Sequence, residues 1–481
     1  MSSVIRHAAR AARLLTHPLE LWRSHRRLAI GLLAAAVLAV SAIVVGYEVL
    51  KRPSDVHNEA AIRHFEPEKP KPPPKPVHGK PRLVNWPIFG LNPARTRYLP
   101  AKGIRPPFKL IWHYTERPLL EFPPVYAAGR LYGVNNSGTA FALEAETGKV
   151  LWERRIGRLN ASSPAYHKGR LYIVNLVPGH IVKMNAANGK ILWKHTLPGR
   201  AESSPLVLDN SVYFGSEDGY LYSLSTRNGN LRWKTGLGGP IKAAPAYRDG
   251  VLYVGDYGGD MNAVRASDGK LLWQSGSLGT GVSGGEFYST PAVAFGRVYA
   301  GNNDGRVYSY DEQDGTLAWT HSTGGYVYSG PTVATTPTTP PTVYIGSFDG
   351  NIYALDAKNG ETRWAHSAGG QVVGSLSAIG NIVYVAEFTD GSTNGYDMKT
   401  GKQVFHYKTG TYTPVISDGR RIYLVGYSSI NALEPIRQGA RLAPARVAPA
   451  PQPVRHPRRV PHSRAGQAAH GPRGTRGNGS G

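Results

Sequence analysis

Apolar and polar residues alternate in short runs along this chain, and the runs fall into sets separated by turn signals. After Ser203-Ser204-Pro205, LVLDN ends in a turn, SVYFGS alternates, Glu217-Asp218-Gly219 turns, YLYSLS alternates, Arg227-Asn228-Gly229 turns, and LRWKT closes the set. Asp-Gly and Asn-Gly pairs suit tight hairpins because both central residues tolerate positive φ. Tyr and Val between them fit a pleated, half-buried surface. No sustained helical apolar period runs through this region. The pattern predicts an all-β domain.

The set repeats. Stretches such as VKMNAANGKILW and YALDAKNGETRW end on Trp152, Trp193, Trp233, Trp273, Trp319, Trp364 and, in a seventh copy, Phe405, at steps of roughly 40 to 46 residues. Four short strands in a unit of that length predict a propeller blade. The last unit, Tyr412 to Glu434, has three strands and no fourth, while FKLIWHY at the front is an orphan strand with Trp112 in the motif position. Pairing the two predicts an eight-bladed β-propeller over residues 82–436 with no free sheet edge. Seven blades is the count if that pairing fails. The motif aromatics read as packing wedges between neighbouring blades. Burying an indole covers ~150–250 Å², roughly 4–6 kcal/mol as an upper bound. Phe405, a smaller ring in the same slot, predicts a slightly looser blade.

These stretches resemble the pyrroloquinoline-quinone (PQQ) type propeller repeat, with its A-x-D-x-x-T-G-K-x-x-W signature. Quinoprotein alcohol dehydrogenases and BamB-like scaffold propellers of outer-membrane assembly share that repeat. The resemblance covers residues 82 to 434 and includes the lead-in WPIFGLNPARTRY, Trp86 to Tyr98. It implies the fold and two functions. One is a noncatalytic scaffold for protein, peptide or cell-envelope polymer; the alternative is a dehydrogenase using PQQ with calcium.

Composition narrows the chemistry. The chain has no cysteine, which excludes disulfides, thiolate metal sites, c-type haem attachment, a vicinal-Cys ring at a quinone and a lipid anchor on Cys. Residues Leu28 to Tyr47 are twenty uncharged, mostly apolar positions, enough to cross a bilayer as a helix. Arg6, Arg10, Arg13, Arg23, Arg26 and Arg27 precede them against one acid, Glu20. That bias predicts a single-pass plasma-membrane protein with residues 1–27 cytoplasmic and the propeller outside. A cleaved signal peptide is the rival, with Val40-Ser41-Ala42 as its site.

Residues 48–81 turn proline-rich, and from Pro53 to Pro81 an extended polyproline II spacer is expected. The tail 437–481 has nine arginines and no acid; disorder is expected there. Much of the net charge of +24 sits in the first 80 residues and in this tail. Anionic lipid or wall polymer suits the tail as a partner. Nucleic acid does not, because the tail has no aromatic on which bases stack.

Catalytic, cofactor and metal residues are not expected. Gly281-Val282-Ser283-Gly284-Gly285 matches a nucleophile elbow only as a string, without its strand-turn-helix setting. His195, His321 and His366 recur two places after the motif Trp, on outer strands of separate blades, too far apart to share one ion. A ligand or partner face is expected where interblade loops converge. Its candidates are Glu202, Lys242, Glu286, Tyr288, Tyr326, Tyr328, Gln371 and Tyr412.

Overall fold

The computed structural model describes Ile30 and residues 54–67, 83–279 and 285–436. Eight antiparallel sheets form the eight blades of a propeller, all-β as expected. Their innermost strands are Val125–Ala127, Ala165–His167, Leu206–Leu208, Ala246–Arg248, Ala292–Ala294, Thr332–Thr336, Ser377–Ile379 and Ile416–Ser417, for blades 1 to 8. Each blade then steps outward through two longer strands to an outer strand. In blade 1 these are Arg130–Val134, Thr139–Glu144 and Val150–Arg155.

Closure follows the sequence expectation. Phe108–Thr115 pairs antiparallel with Ser429–Pro435, placing Trp112 opposite Ala432 and Tyr114 opposite Ile430. The last blade is thus three strands from the C-terminal part and one from the N-terminal part, so its third strand is not left as an edge and the ring is tied shut.

Burial explains the sequence pattern strand by strand. The second and third strands, such as Leu171 to Asn175, are sandwiched between neighbouring blades and buried on both faces. Outer strands alternate, with pairs such as Ile191 and Leu192 exposed. Beside the motif Trp each outer strand carries a bulge, as between Ile191 and Trp193, and a bulge re-aims a side chain. Every motif indole donates its N–H to a carbonyl of the following blade: Trp112 to Ala145 at 2.9 Å, Trp233 to Ala266 at 3.0 Å and Trp319 to Ala357 at 3.2 Å. The glycine of the next blade's turn lies flat beneath it. Gly360 has φ +77°, and a Cβ there would sit 2.6 Å from Cε3 of Trp319. The Gly of the signature is therefore demanded by backbone sign and by the indole at once.

Two expectations are corrected. Residues 54–67 are not an extended spacer. Asn58 caps a short helix, Glu59–Arg63, and the segment lies along the outer strand of blade 5, Leu317–Ser322. The Asn58 N–H donates to Ala318 O at 2.8 Å, and Asp55 accepts from the Ser322 hydroxyl at 2.8 Å. Ala61 and Phe65 supply the apolar contact, and Arg297 donates to the Ala61 carbonyl. This cover leaves Trp319 fully buried while Trp193 remains half-buried.

Nor does Phe405 simply loosen its blade. The blade it faces has no motif turn, because the chain ends cross there, so an indole N–H would lack its usual acceptor. Phe405 packs edge-on against Phe108 instead.

The expected membrane helix at Leu28–Tyr47, apart from Ile30, lies outside the described residues, as do the rest of the linker, Gly281 to Gly284 and the tail from Arg437. Among the described residues no helix is long and apolar enough to cross a membrane.

Candidate functional site

In a four-stranded antiparallel blade, the interblade loop and the loop between strands two and three emerge on one face. The remaining turns emerge on the other. On that second face the channel is stopped by residues 84–101. Trp86 pairs with Tyr126, Pro87 accepts from the Tyr166 N–H, Pro93 from Tyr247, Ala94 from Val293, Thr96 from Val333 and Arg97 from Ala378, while Val84 donates to Asp418. Tyr98–Leu99 then adds a parallel strand inside blade 7. Blade 3 is reached by the Arg95 side chain, which donates to Ser204 O at 3.3 Å. One segment thus ties all eight blades together.

Arg95 and Arg97 are completely buried in this plug. Arg95 also donates to the carbonyls of Phe89 and Pro245, and Arg97 to those of Arg95 and Pro331 at 2.8 Å each. Burial lowers both guanidiniums to about 9, with Arg97 adding a smaller repulsion at Arg95. Both therefore stay charged at neutral pH. Carbonyl dipoles, aimed inward from the ends of the inner strands, stand in for the missing anions.

The opposite face is open, and one repeat position builds it. Four residues before each inner strand, in blade order, stand Glu121, Ala161, Glu202, Lys242, Tyr288, Tyr328, Val373 and Tyr412. All but Ala161 line a cavity of about 90 Å³ over the plug, floored by Phe89 with Phe122 beside it. The ring is divided: blades 1, 3 and 4 contribute charges, and blades 5, 6 and 8 contribute phenols.

On the charged side, Lys242 Nζ lies 2.8 Å from Glu202 and 3.8 Å from Glu217, and 5.2 Å above the Tyr257 ring. Glu121 accepts from Asn136 at 3.0 Å. Burial, reinforced by the charge of Glu202, holds the Glu121 carboxyl above its ordinary range despite that bond. The aromatic side is continuous. Tyr257 meets Tyr288 at 6.4 Å, Tyr288 meets Tyr328 at 5.3 Å, and Tyr328 meets Tyr326 at 5.8 Å and Phe348 at 5.0 Å. Tyr326, at 50% exposed, carries the arc onto the rim, while Phe388, at 41%, stands apart on Tyr412, 4.9 Å away.

Of the eight candidates read from the sequence, Glu202, Lys242, Tyr288, Tyr328 and Tyr412 come together in the cavity wall. Tyr326 lies on the rim. Glu286 is also outside the cavity, accepting from Asn303 at 2.6 Å. Gln371 belongs to a separate shallow depression with Phe348, Asp349 and Phe388. Sequence reasoning missed Glu121, Phe122, Tyr257 and the plug residues Phe89, Arg95 and Arg97. Glu121 had a signal: it stands three before Pro124 as Glu202 stands three before Pro205. His195, His321 and His366 lie on outer strands of blades 2, 5 and 6. The last two pack on rings, His321 on Tyr353 at 5.5 Å and His366 on Trp364 at 5.6 Å.

Ring, plug and indole wedges define a PQQ-type repeat propeller. The chain belongs to the family described as outer membrane protein assembly factor BamB, whose profile matches residues 109–240, 158–302 and 217–425. Curated relatives are matched over shorter stretches. Tetrathionate hydrolase of Acidithiobacillus ferrooxidans is 29% identical over 110 residues, 22% of each chain. The dehydrogenase subunit of the quinone alcohol dehydrogenase of Gluconobacter oxydans is 28% identical over 137 residues, covering 24% of this chain and 18% of that one. The matches thus span about a fifth of those relatives' length. In fold, the crystal structure of BamB from Moraxella catarrhalis superposes with a TM-score of 0.58 at 16% identity, over 68% of this chain and all of that one.

Proposed function

We propose that the protein is a noncatalytic, membrane-tethered extracytoplasmic propeller that binds a protein partner, or a peptide or cell-envelope polymer, on its open face. The observation that carries this reading is the unbroken arc of rings from Tyr257 to Phe348, exposed at Tyr326, with a second exposed ring at Phe388 packed on Tyr412. Aromatic anchors beside polar groups are the usual makings of a binding hot spot. The tether is Leu28–Tyr47, held as an uncleaved single span by the arginines before it. Leu83 and Ile436 both leave the ring on the plugged side, where Val84 meets Asp418 and Ile436 meets Pro107. The tether itself reaches the ring through Asp55, which meets Ser322 at the outer rim of blade 5.

Quinone chemistry fits these residues poorly. The cavity holds about 90 Å³, against roughly 300 Å³ or more for ordinary small-molecule pockets. PQQ is a flat tricarboxylate, and this wall offers it Glu121 and Glu202 with one ammonium already engaged. The argininium groups lie sealed beneath Phe89. The reading therefore takes no PQQ, no calcium and no catalytic residue.

Photo-crosslinkers at Tyr326 and Phe388 in native membranes, followed by mass spectrometry, test it. Capture of one protein or wall fragment at both positions is expected. Calcium- and PQQ-dependent oxidation of alcohols or aldose sugars by the purified chain would overturn it.

A further inference from the structure

The segment docked on blade 5 has a direction. Asp55 accepts from the Ser322 N–H at 3.0 Å and from its hydroxyl at 2.8 Å, the Thr320 N–H donates to Val56 O, and the Asn58 N–H donates to Ala318 O. Residues 55–58 therefore run antiparallel to the strand Leu317–Ser322. Ser322 is the end of that strand from which the loop to blade 6 departs, on the open face. Further along, the Glu66 N–H donates to Phe295 O, in the turn between the first two strands of blade 5, on the plugged face. The chain thus enters the ring at the open-face edge of blade 5 and runs down the rim away from it.

The reach of the tether turns this direction into an orientation. Seven residues separate Tyr47 from Asp55, so their Cα atoms lie at most ~26–29 Å apart. The headgroup layer takes ~5–8 Å of that reach. With the plugged face toward the membrane, the chain must first climb the six-residue strand Leu317–Ser322, another ~17–20 Å. That path exhausts the tether. With the open face toward the membrane most of the reach stays slack. A second observation agrees: among the described residues the exposed aromatic rings are Tyr326, Phe388 and Tyr427. All three stand in open-face loops of consecutive blades 6, 7 and 8, beginning four residues beyond Ser322.

Resting on the tethered-scaffold reading above, we infer that the open face looks onto the bilayer and that its partner is a juxtamembrane segment of a second membrane-spanning protein. Beside blade 5 the tether limits the gap between ring and headgroups to ~18–24 Å. A helix ~10–12 Å across fits that space. A globular domain of ~100 residues, with a radius of gyration of ~13 Å, does not. The segment lies along blades 6 to 8 and is anchored on Tyr326, Phe388 and Tyr427.

The chain has no cysteine, so a single one can carry a donor dye. Tyr326→Cys marks the open face of blade 6, and Lys358→Cys, in the turn before its outer strand, marks the plugged face. The full chain is placed in nanodiscs with acceptor dye on the lipid headgroups. With ~17–20 Å between the faces, energy transfer at Tyr326→Cys exceeds that at Lys358→Cys by about twofold or more. Inserting about thirty Gly and Ser residues after Tyr47, a flexible coil outside the ring, erases the difference. Equal or greater transfer at Lys358→Cys in the parent overturns the orientation, as does a difference that survives the insertion. Photo-crosslinkers at Tyr326 and Tyr427 in native membranes mark peptides immediately adjoining a span of another membrane protein. Marks confined to lipid, wall polymer or a domain remote from any span overturn the partner. A mature chain that begins near Ile43 removes the tether and this inference with it, while open-face crosslinks to a protein would still support the scaffold.

Discussion

Phe405 and Phe108 meet edge to face, with ring centroids 5.4 Å apart and planes at 85°. Blade 7 is where the repeat's Trp is replaced, and the blade it faces is the one assembled from both chain ends. Elsewhere the wedge is an indole because the following blade offers a carbonyl and a bare glycine. At the seam neither is in place, and two phenyl rings fill the slot without a donor.

Substituting the wedges should separate these two situations. Trp319→Phe removes a buried N–H···O bond and leaves a void, costing about 1–3 kcal/mol. Phe405→Trp gains nothing, because its N–H has no turn carbonyl to meet. Equilibrium urea unfolding of the two variants checks the contrast, and stabilisation by Phe405→Trp would contradict the seam geometry.

Arg95 carries the plug's hydrogen bonds to the start of blade 3, donating to the carbonyls of Ser204 and Pro205. Arg95→Ala strips donors from several buried carbonyls and opens a cavity, a loss of about 2–5 kcal/mol. Arg95→Met should cost less, since it fills the space and relieves the buried charge. Limited proteolysis should cut the Ala variant first between residues 83 and 101. A plug resistant in both variants would count against this view.

The docked segment 54–67 can be loosened at its cap. The Asn58 side chain accepts from the Ala61 N–H and donates to Leu317 O. Asn58→Ala should destabilise the segment by about 1 kcal/mol. Hydrogen exchange should then quicken across Leu317–Ser322 and stay unchanged in the outer strand of blade 6, Thr362–Ser367. Uniform exchange in both strands would show that the segment does not protect blade 5.

Glu387 makes stability pH-dependent. Burial first, and the neighbouring Asp390 second, raise its carboxyl from 4.5 to about 7. A carboxyl raised on folding binds its proton more tightly in the native state. Its contribution is complete below pH 4.5 and is lost as pH rises through about 7. Glu387→Gln mimics the protonated form, so it should raise the melting temperature at pH 8.5 and change it little at pH 4. Parallel melting curves for parent and variant across that range would refute the assignment.

What the chain's own pattern determined was the ring. Asp-Gly and Asn-Gly turns, alternating strands and an aromatic at a fixed step are local signals, and their repetition turns eight weak readings into one architecture. The orphan strand at Trp112 was legible for the same reason, as a repeat element out of place. Tertiary structure alone decided which position of the repeat faces the channel. Glu121, Lys242 and Tyr288 lie far apart in the chain and become one wall only when eight inner strands are set around an axis. Arg95 and Arg97 look like ordinary polar residues of a lead-in, because their burial depends on carbonyls supplied by other blades. Asn58 to Phe65 reads as the start of a spacer, since so short a helix is stable only against the apolar edge of blade 5. Local chemistry specifies a strand, a turn or a cap, whereas a site built from distant loops exists only once the chain has closed on itself.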